Sequence, residues 1–378
     1  VRAASTVVSE VSGAFADLGT FLPLAVGTVL VSGLDVTGVL TGFGVFALAV
    51  ALFYRRPVPV QPMKAVAAIA IAGGLTPGII AGTGVLMGAA LVLLALSGII
   101  ERAGRWVPQS VLAGIQVGVG LGLAVKGLAL MDQHLYVGLA CLALLLVFLR
   151  TAAAGVAALL VVGGAALWAL RAGTALPSAE PLGLLHLPHA ALPTGAELTQ
   201  AATTTLLPQL PLTLANAVLA TAAVAATLFP EDTHRITPKR LALSSGVVNL
   251  LLAPLGAMPM CHGAGGLVAQ HRFGARTGIA PAVFGATCLA LALLLGPRAL
   301  DALAMIPAAP LGALLAVAGV ELVLTRRLFD GRPRCLAVIV ATAATALVAD
   351  AAYAVLAGIA LELGWTAVRR AAQRGVPS

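Results

Sequence analysis

The stretch from Gly256 to Gly278, GAMPMCHGAGGLVAQHRFGARTG, limits the possible folds of this chain more than any other. It lies in a very apolar sequence yet carries Cys261, His262, Gln270, His271, Arg272 and Arg276. Pro254 and Pro259 remove amide donors and break helix. Gly263, Gly265 and Gly266 then let backbones approach closely. The stretch reads as an extended approach followed by a half-helix starting near Cys261. The chain is 378 residues long, 60% hydrophobic and only 10% charged. Soluble domains carry roughly a quarter charged residues, so this is a polytopic membrane protein. Inside a bilayer, non-helical backbone is tolerated only where protein or a wet cavity receives its polar groups. A half-helix that starts there aims free N–H groups and a positive dipole end into the cavity, which makes an anion site.

A second stretch has the same design. Pro57-Val-Pro-Val-Gln-Pro-Met-Lys64 precedes the small-residue run AVAAIAIAGG. Aligning the Pro-Met pairs sets Gln61-Pro62-Met63-Lys64 against Met258-Pro259-Met260-Cys261. Paired, interrupted hydrophobic segments at matching places in two halves point to a transporter binding site. Apolar spans before the join cover Ser12–Ser32, Val36–Tyr54, Pro77–Ile100, Val107–Met131, Leu135–Leu149 and Thr151–Leu170. After it they cover Leu198–Phe229, Arg240–Leu252, Thr277–Leu295, Leu300–Leu324, Cys335–Val348 and Ala351–Val368. Most are near the ~20 residues that cross a bilayer as helix. With the two broken segments they make about fourteen, seven per half, and an odd count inverts one half against the other.

The net charge of +8 fits membrane orientation and not nucleic-acid binding. With the N-terminus inside, one face collects Arg55, Arg56, Arg102, Arg105, Arg150, Arg235, Lys239, Arg240, Arg272, Arg276, Arg326, Arg327 and the C-terminal arginines. The other face gets Arg171, Arg298 and Lys126. That asymmetry is the positive-inside pattern, with both termini cytoplasmic in a cell (inner) membrane. Cys141, Cys261, Cys288 and Cys335 show neither metal spacing nor a disulfide framework. No cleavable leader is expected, because Glu10 and Asp17 fall where one would be apolar. No soluble C-terminal domain is expected after the last span.

Four motifs carry a family resemblance: FADLGTFLPL (Phe15–Leu24), PVQPMKA (Pro59–Ala65), LPLTLANAVLA (Leu210–Ala220) and the Gly256–Gly278 stretch. With them the chain resembles the molybdate transporter family, a branch of the sulfate permease superfamily without a STAS domain. The resemblance covers nearly the whole chain. It implies an all-α integral membrane fold like that of uracil permease, with seven-plus-seven inverted repeats forming a core and a gate domain. The core would comprise residues 1–103 and 198–296, and the gate 104–170 and 297–378 with the tail. Residues 171–197 would connect the repeats. The resemblance further implies molybdate, and sulfate as an alternative, for substrate, and a homodimer. Composition and spacing alone reach only a secondary transporter for an anion.

Intramembrane charge is functional by default, so Lys64 at the first half-helix belongs to the anion site or pairs with a carboxylate such as Asp17. Asp17 has two readings, partner of Lys64 or proton carrier for symport. Thr20 offers a hydroxyl, and Gln61 and Asn216 are neutral donors where the repeats converge; helix packing is the plain alternative for all three. Cys261 and His262 open the second half-helix, and His262 is the other proton-coupling candidate. The backbone amides of Gly263 and Ala264 would serve a tetrahedral oxyanion. His271, Arg272 and Arg276 read as membrane-surface anchors. Glu321, Asp350 and Glu362 read as solvated or gate-pairing carboxylates. No metal or cofactor is expected. Enzyme chemistry is set aside, because side chains adjacent in sequence, as in Cys261-His262, diverge on a helix. An uncoupled anion channel stays open as a rival.

Overall fold

A computed structural model describes residues 2–103, 107–148, 186–296, 307–349 and 351–374, with isolated positions between. The described residues are mostly helical. The first half runs through α1 (Arg2–Ala14), α2 (Leu18–Ser32), α3 (Val36–Tyr54), β1 (Gln61–Pro62), α4 (Lys64–Gly73), α5 (Pro77–Leu96), α6 (Gln109–Leu130) and α7 (Leu135–Phe148). The second opens with α8, one helical run over Gly195–Leu228. It continues with α9 (Pro238–Leu252), β2 (Met260–Cys261), α10 (Ala264–Arg272) and α11 (Ile279–Leu295). It closes with α12 (Ala308–Val323), α13 (Pro333–Val348) and α14 (Ala351–Arg374). These labels number described helices, not membrane crossings. Most of the expected span Thr151–Leu170, most of the connector up to residue 185, the start of Leu300–Leu324, and Arg105, Arg150 and Asp350 lie outside the described residues.

Helix ends follow local chemistry. Asp35 caps α3 by accepting from Thr37 N, and Thr76 caps α5 with Pro77 in its first turn. Thr194 and Glu197 form a reciprocal capping box at the start of α8. Gly33 and Gly74 close α2 and α4 in the left-handed conformation, which glycine enters without steric cost. Among the described residues, α3, α5, α6 and α8 are long and apolar enough to cross a bilayer, and seven shorter apolar helices accompany them.

The span Ser12–Ser32, which the sequence shows interrupted by Asp17, Gly19 and Pro23, breaks at the first of these: α1 ends at Ala14, and α2 begins at Leu18 and runs on through Pro23. Amides of Ala16 and Leu18 bond back to Gly13 and Phe15 in a tight turn that leaves Asp17 at the head of α2.

Helices pack across the two halves. α3 lies along α11, and α5 along α9, so the second span of each half meets the fourth of the other. α6 lies along α12, and α13 and α14 pack on α6. The α6–α12 packing is glycine-set: a Cβ on Gly120 would sit 2.7 Å from Gly319 O, and one on Gly312 would strike Gly127 O. Lipid tails are as apolar as leucine, so such close backbone approach is what holds helices together in a membrane.

Both broken stretches are broken in the structure. β1 and β2 pair antiparallel, Gln61 opposite Cys261 and Pro62 opposite Met260, and α4 and α10 depart from that ribbon. The second half-helix begins at Ala264 and not near Cys261. Counted from the helix starts, Lys64 corresponds to Ala264, and Met63 to Gly263. The Pro-Met alignment is therefore three residues out of register, because the strand and not the prolines sets where each helix can begin.

Candidate functional site: a cavity at the head of a half-helix

The ribbon sits in the middle of the packed helices and is held by side chains. Asn249 on α9 donates from Nδ2 to Met260 O at 2.6 Å and accepts from Met260 N at 2.9 Å. This buried carboxamide replaces the sheet partner that β2 lacks on that side. His262 Nδ1 meets Pro59 O at 3.0 Å, which fixes the proton on Nδ1, since a carbonyl only accepts. Its Nε2 lies 2.8 Å from Ser244 Oγ, which in turn meets the Tyr54 hydroxyl at 2.8 Å. Phe46 and Tyr54 enclose the ring.

Beside the ribbon lies a cavity with about 450 Å³ of space between atoms, adjoining solvent included. Lys64 and Ala65 from the head of α4, Gln61 and Cys261 from the ribbon, and Gln209, Thr213 and Asn216 from α8 line it. Gln116 and Val119 from α6 and Leu322 from α12 complete the wall. The α8 side chains are presented by an uneven helix. Leu207–Leu212 holds Pro208 and Pro211, and Thr213–Ala220 is wound as a π-helix. Each proline lacks an N–H, and π-wound turns stand on both sides of them, Ala202–Leu206 before and Thr213–Ala220 after; π segments recur at functional sites.

The lining has one cationic side chain, several neutral donors and no carboxylate. Among the described residues Lys64 is in no ion pair, and its charge acts on Asp17 and Glu321 only at longer range. The direct Lys64–Asp17 pair weighed from sequence is not formed. Instead Gln61 Nε2 donates a hydrogen bond to Asp17 Oδ2.

Of the expected site residues, Gln61, Lys64, Asn216, Cys261 and His262 reach the cavity, and Asp17, Thr20, Gly263 and Ala264 do not line it. Asp17 borders a second, smaller cavity behind Gln61, together with Gln270. The Oε1 of Gln270 is buried there with no hydrogen-bond partner among the described residues. Thr20 Oγ1 points to Glu321 Oε2 on α12, 3.5 Å away. Both ring nitrogens of His262 are engaged by Pro59 and Ser244, which removes them as donors to an anion. Gly263 and Gly266 serve Gln61: a Cβ on Gly263 would overlap its Oε1, and one on Gly266 would sit 2.6 Å from its Nε2. Glu362 pairs with Arg334 at 2.8 Å between α13 and α14.

The sequence reading missed Gln209. This residue, 3% exposed, accepts at Oε1 from Ala65 N at 2.9 Å and from Val66 N at 3.2 Å. Its Nε2 donates to Thr213 Oγ1 at 2.9 Å. The first-turn amides of α4 are therefore not free, as the sequence suggested, but capped from α8. A carboxamide between two prolines in an apolar span was the available signal, since polar groups in such spans need internal partners.

The chain matches the family described as "Molybdate transporter of MFS superfamily" over residues 9–123 and 201–322. It belongs to the molybdate transporter family. The Arabidopsis thaliana Molybdate transporter 2 is 29% identical over 96% of this chain and 88% of its own length. The Chlamydomonas reinhardtii Molybdate transporter 1 is 31% identical over 83% of each. Among solved structures, the transmembrane domain of the cyanobacterial bicarbonate transporter BicA superposes with a TM-score of 0.67 at 17% identity, spanning 93% of this chain and 97% of that one. That description names the MFS superfamily, whose halves are bundles of six spans; the fold here is BicA's. This member of the molybdate transporter family is thus a multi-pass membrane transporter and not an enzyme.

Proposed function

We propose that the chain carries molybdate across the membrane by alternating access, with the oxyanion held at the head of α4. The observation that carries this reading is the cavity lining: the Lys64 ammonium, the carboxamides of Gln61, Gln116 and Asn216, the Thr213 hydroxyl, and no carboxylate. An oxyanion offers only acceptors, so a wall of donors around one fixed positive charge suits it. The names of the plant and algal relatives support molybdate over sulfate as the substrate.

The moving core comprises residues 1–103 and 198–296, and the gate 104–170 and 297–378, in fourteen spans arranged as two inverted sevens. The exchange of partners between α3–α11 and α5–α9 supports the inversion, and Gln116, Val119 and Leu322 supply a gate wall to the cavity. Both termini face the cytoplasm of a cell inner membrane, on the strength of the arginine asymmetry. On family resemblance, two copies pair.

Protons drive uptake, with Asp17 as their carrier: it stands beside Gln61, which also touches the anion cavity, so the two occupancies are one residue apart. Uptake of labelled molybdate by proteoliposomes tests the substrate, with sulfate and uracil as competitors. Uptake blind to molybdate and blocked by uracil would sink the oxyanion reading. An imposed pH gradient tests the coupling; currents indifferent to pH, and unchanged in D17N, favour a channel instead.

A further inference from the structure

The backbone donors at the head of α4 already have an acceptor. Ala65 N and Val66 N are second and third in the helix, and Ala67 N is the first to find an intrahelical partner, Met63 O. These early amides are what a helix presents to an anion. Both point to the side-chain oxygen of Gln209. Because backbone N–H groups only donate, that atom is the oxygen whichever way the carboxamide is drawn. Thr213 holds the other end, and Gln209, Thr213 and Lys64 share the cavity wall. The carboxamide comes from a different half of the chain, and side-chain hydrogen bonds alone join it to α4.

We propose that Gln209 is an internal competitor for the anion: its Oε1 and an oxyanion oxygen take the same place on the Ala65 and Val66 amides, one excluding the other. This rests on the oxyanion reading of the cavity and adds the residue that sets its affinity. A carrier must release what it binds, and a neutral oxygen ready to cap the helix stabilises the state the anion leaves behind. The same exchange discriminates among anions. A ligand with several strong acceptor oxygens replaces the two bonds and adds Lys64, whereas a weak acceptor gains nothing over the carboxamide.

The test is Gln209→Met in the full chain, purified and titrated with sodium molybdate and with sodium sulfate, reading thermal stabilisation and the KM of proteoliposome uptake. Methionine keeps the length and removes the competing oxygen. Molybdate should then bind about three- to tenfold more tightly, the worth of the displaced hydrogen bonds, with KM falling in parallel. Affinity unchanged or weakened means that Gln209 is a plain cap and overturns the inference. Should Q209M fail to fold, Q209E keeps the question open to decision, since a carboxylate is a good helix cap. It should melt no lower than wild type and lose stabilisation by molybdate; Q209E that binds molybdate like wild type overturns the proposal. A wild-type protein indifferent to both anions would overturn the oxyanion reading and this inference together. Wild-type binding without tightening in Q209M overturns the inference alone.

Discussion

The two half-helices leave one ribbon and are built on one plan, yet their heads are chemically unlike. α4 begins with a lysine, and its first-turn amides are capped by Gln209 from α8. α10 begins with Ala264, Gly265 and Gly266 after Gly263, a residue with no side chain to cap it, and among the described residues no side chain from elsewhere bonds its first amides. At α4 the positive end of the helix is reinforced by an ammonium and moderated by a neutral oxygen. At α10 small residues make room, and Gln61 from the opposite strand lies against Gly263 and Gly266. The same backbone device therefore does two jobs. One head meets the cavity through charge, and the other shapes the ribbon and holds Gln61 toward Asp17.

That contrast is broken most directly at Lys64. Lys64→Gln should lower molybdate uptake by about 10- to 100-fold, the scale of removing one charge-assisted hydrogen bond from a binding site. Its melting temperature should stay near wild type, because no ion pair among the described residues depends on it. Lysine placed at the other head, Ala264→Lys, should not restore transport to K64Q, since Ala264 does not line the cavity. Rescue there would show that the heads are interchangeable and that the asymmetry has no functional weight.

The next effect is on stability. Asn249→Ala removes both side-chain bonds to Met260 and leaves a buried N–H and C=O unsatisfied, at a cost of about 2–3 kcal/mol. Thermal unfolding in detergent reads this loss, and an unchanged melting temperature would mean that the ribbon stands without its brace. Within α10 two neighbouring glycines should answer with opposite signs. Gly266→Ala puts a Cβ 2.6 Å from Gln61 Nε2 and 2.9 Å from Asp17 Oδ2, which overpacks the site by about 1–3 kcal/mol. A Cβ on Gly265 meets nothing within 4 Å, so Gly265→Ala should stabilise the helix by about 0.5–1 kcal/mol. Equal responses would mean that α10 glycines serve flexibility and not fit.

Much of this was legible in the residues, for reasons that differ from place to place. The span Val36–Tyr54 appears to the residue, and the helix expected from Leu135 opens there, because unbroken apolar runs flanked by polar or charged residues leave few alternatives. The two interruptions were legible because prolines and glycines cannot continue a helix at that depth. The start of the second half-helix was misplaced by three residues, since strand register depends on a partner far away in sequence and not on the local Pro-Met pair. His262 looked like a donor because a histidine beside glycines is chemically versatile, but Ser244 and Pro59 are tertiary neighbours that periodicity does not reveal. Gln209 was hidden for the same reason: its partners are the amides of Ala65 and Val66, more than a hundred residues away.

A comparably small effect concerns how the two broken segments are tied together outside the membrane-spanning helices. Arg56, just ahead of the approach to β1, donates from Nε to Asp232 Oδ2 at 2.6 Å, from Nη2 to Glu231 Oε1 at 2.6 Å, and from Nη1 to Arg276 O at 3.1 Å. It thus joins the entry to α4 with the exit from α10 and the turn after α8. The hydrogen bond from Arg56 holds the Asp232 carboxyl below its usual range, against some desolvation and with help from the charges of Arg56 and Arg235. A carboxylate with a lowered folded pKa contributes stability that is fully present above its unfolded value, about 3.9, and is lost as pH falls through the folded value. Asp232→Asn should therefore cost on the order of 1 kcal/mol, unchanged from pH 8 to about pH 5. The gap to wild type should narrow only below about pH 4. Melting temperatures of the two proteins across that range decide it; a gap that closes near neutrality would mean that the Asp232 carboxylate does not govern the tie between the halves.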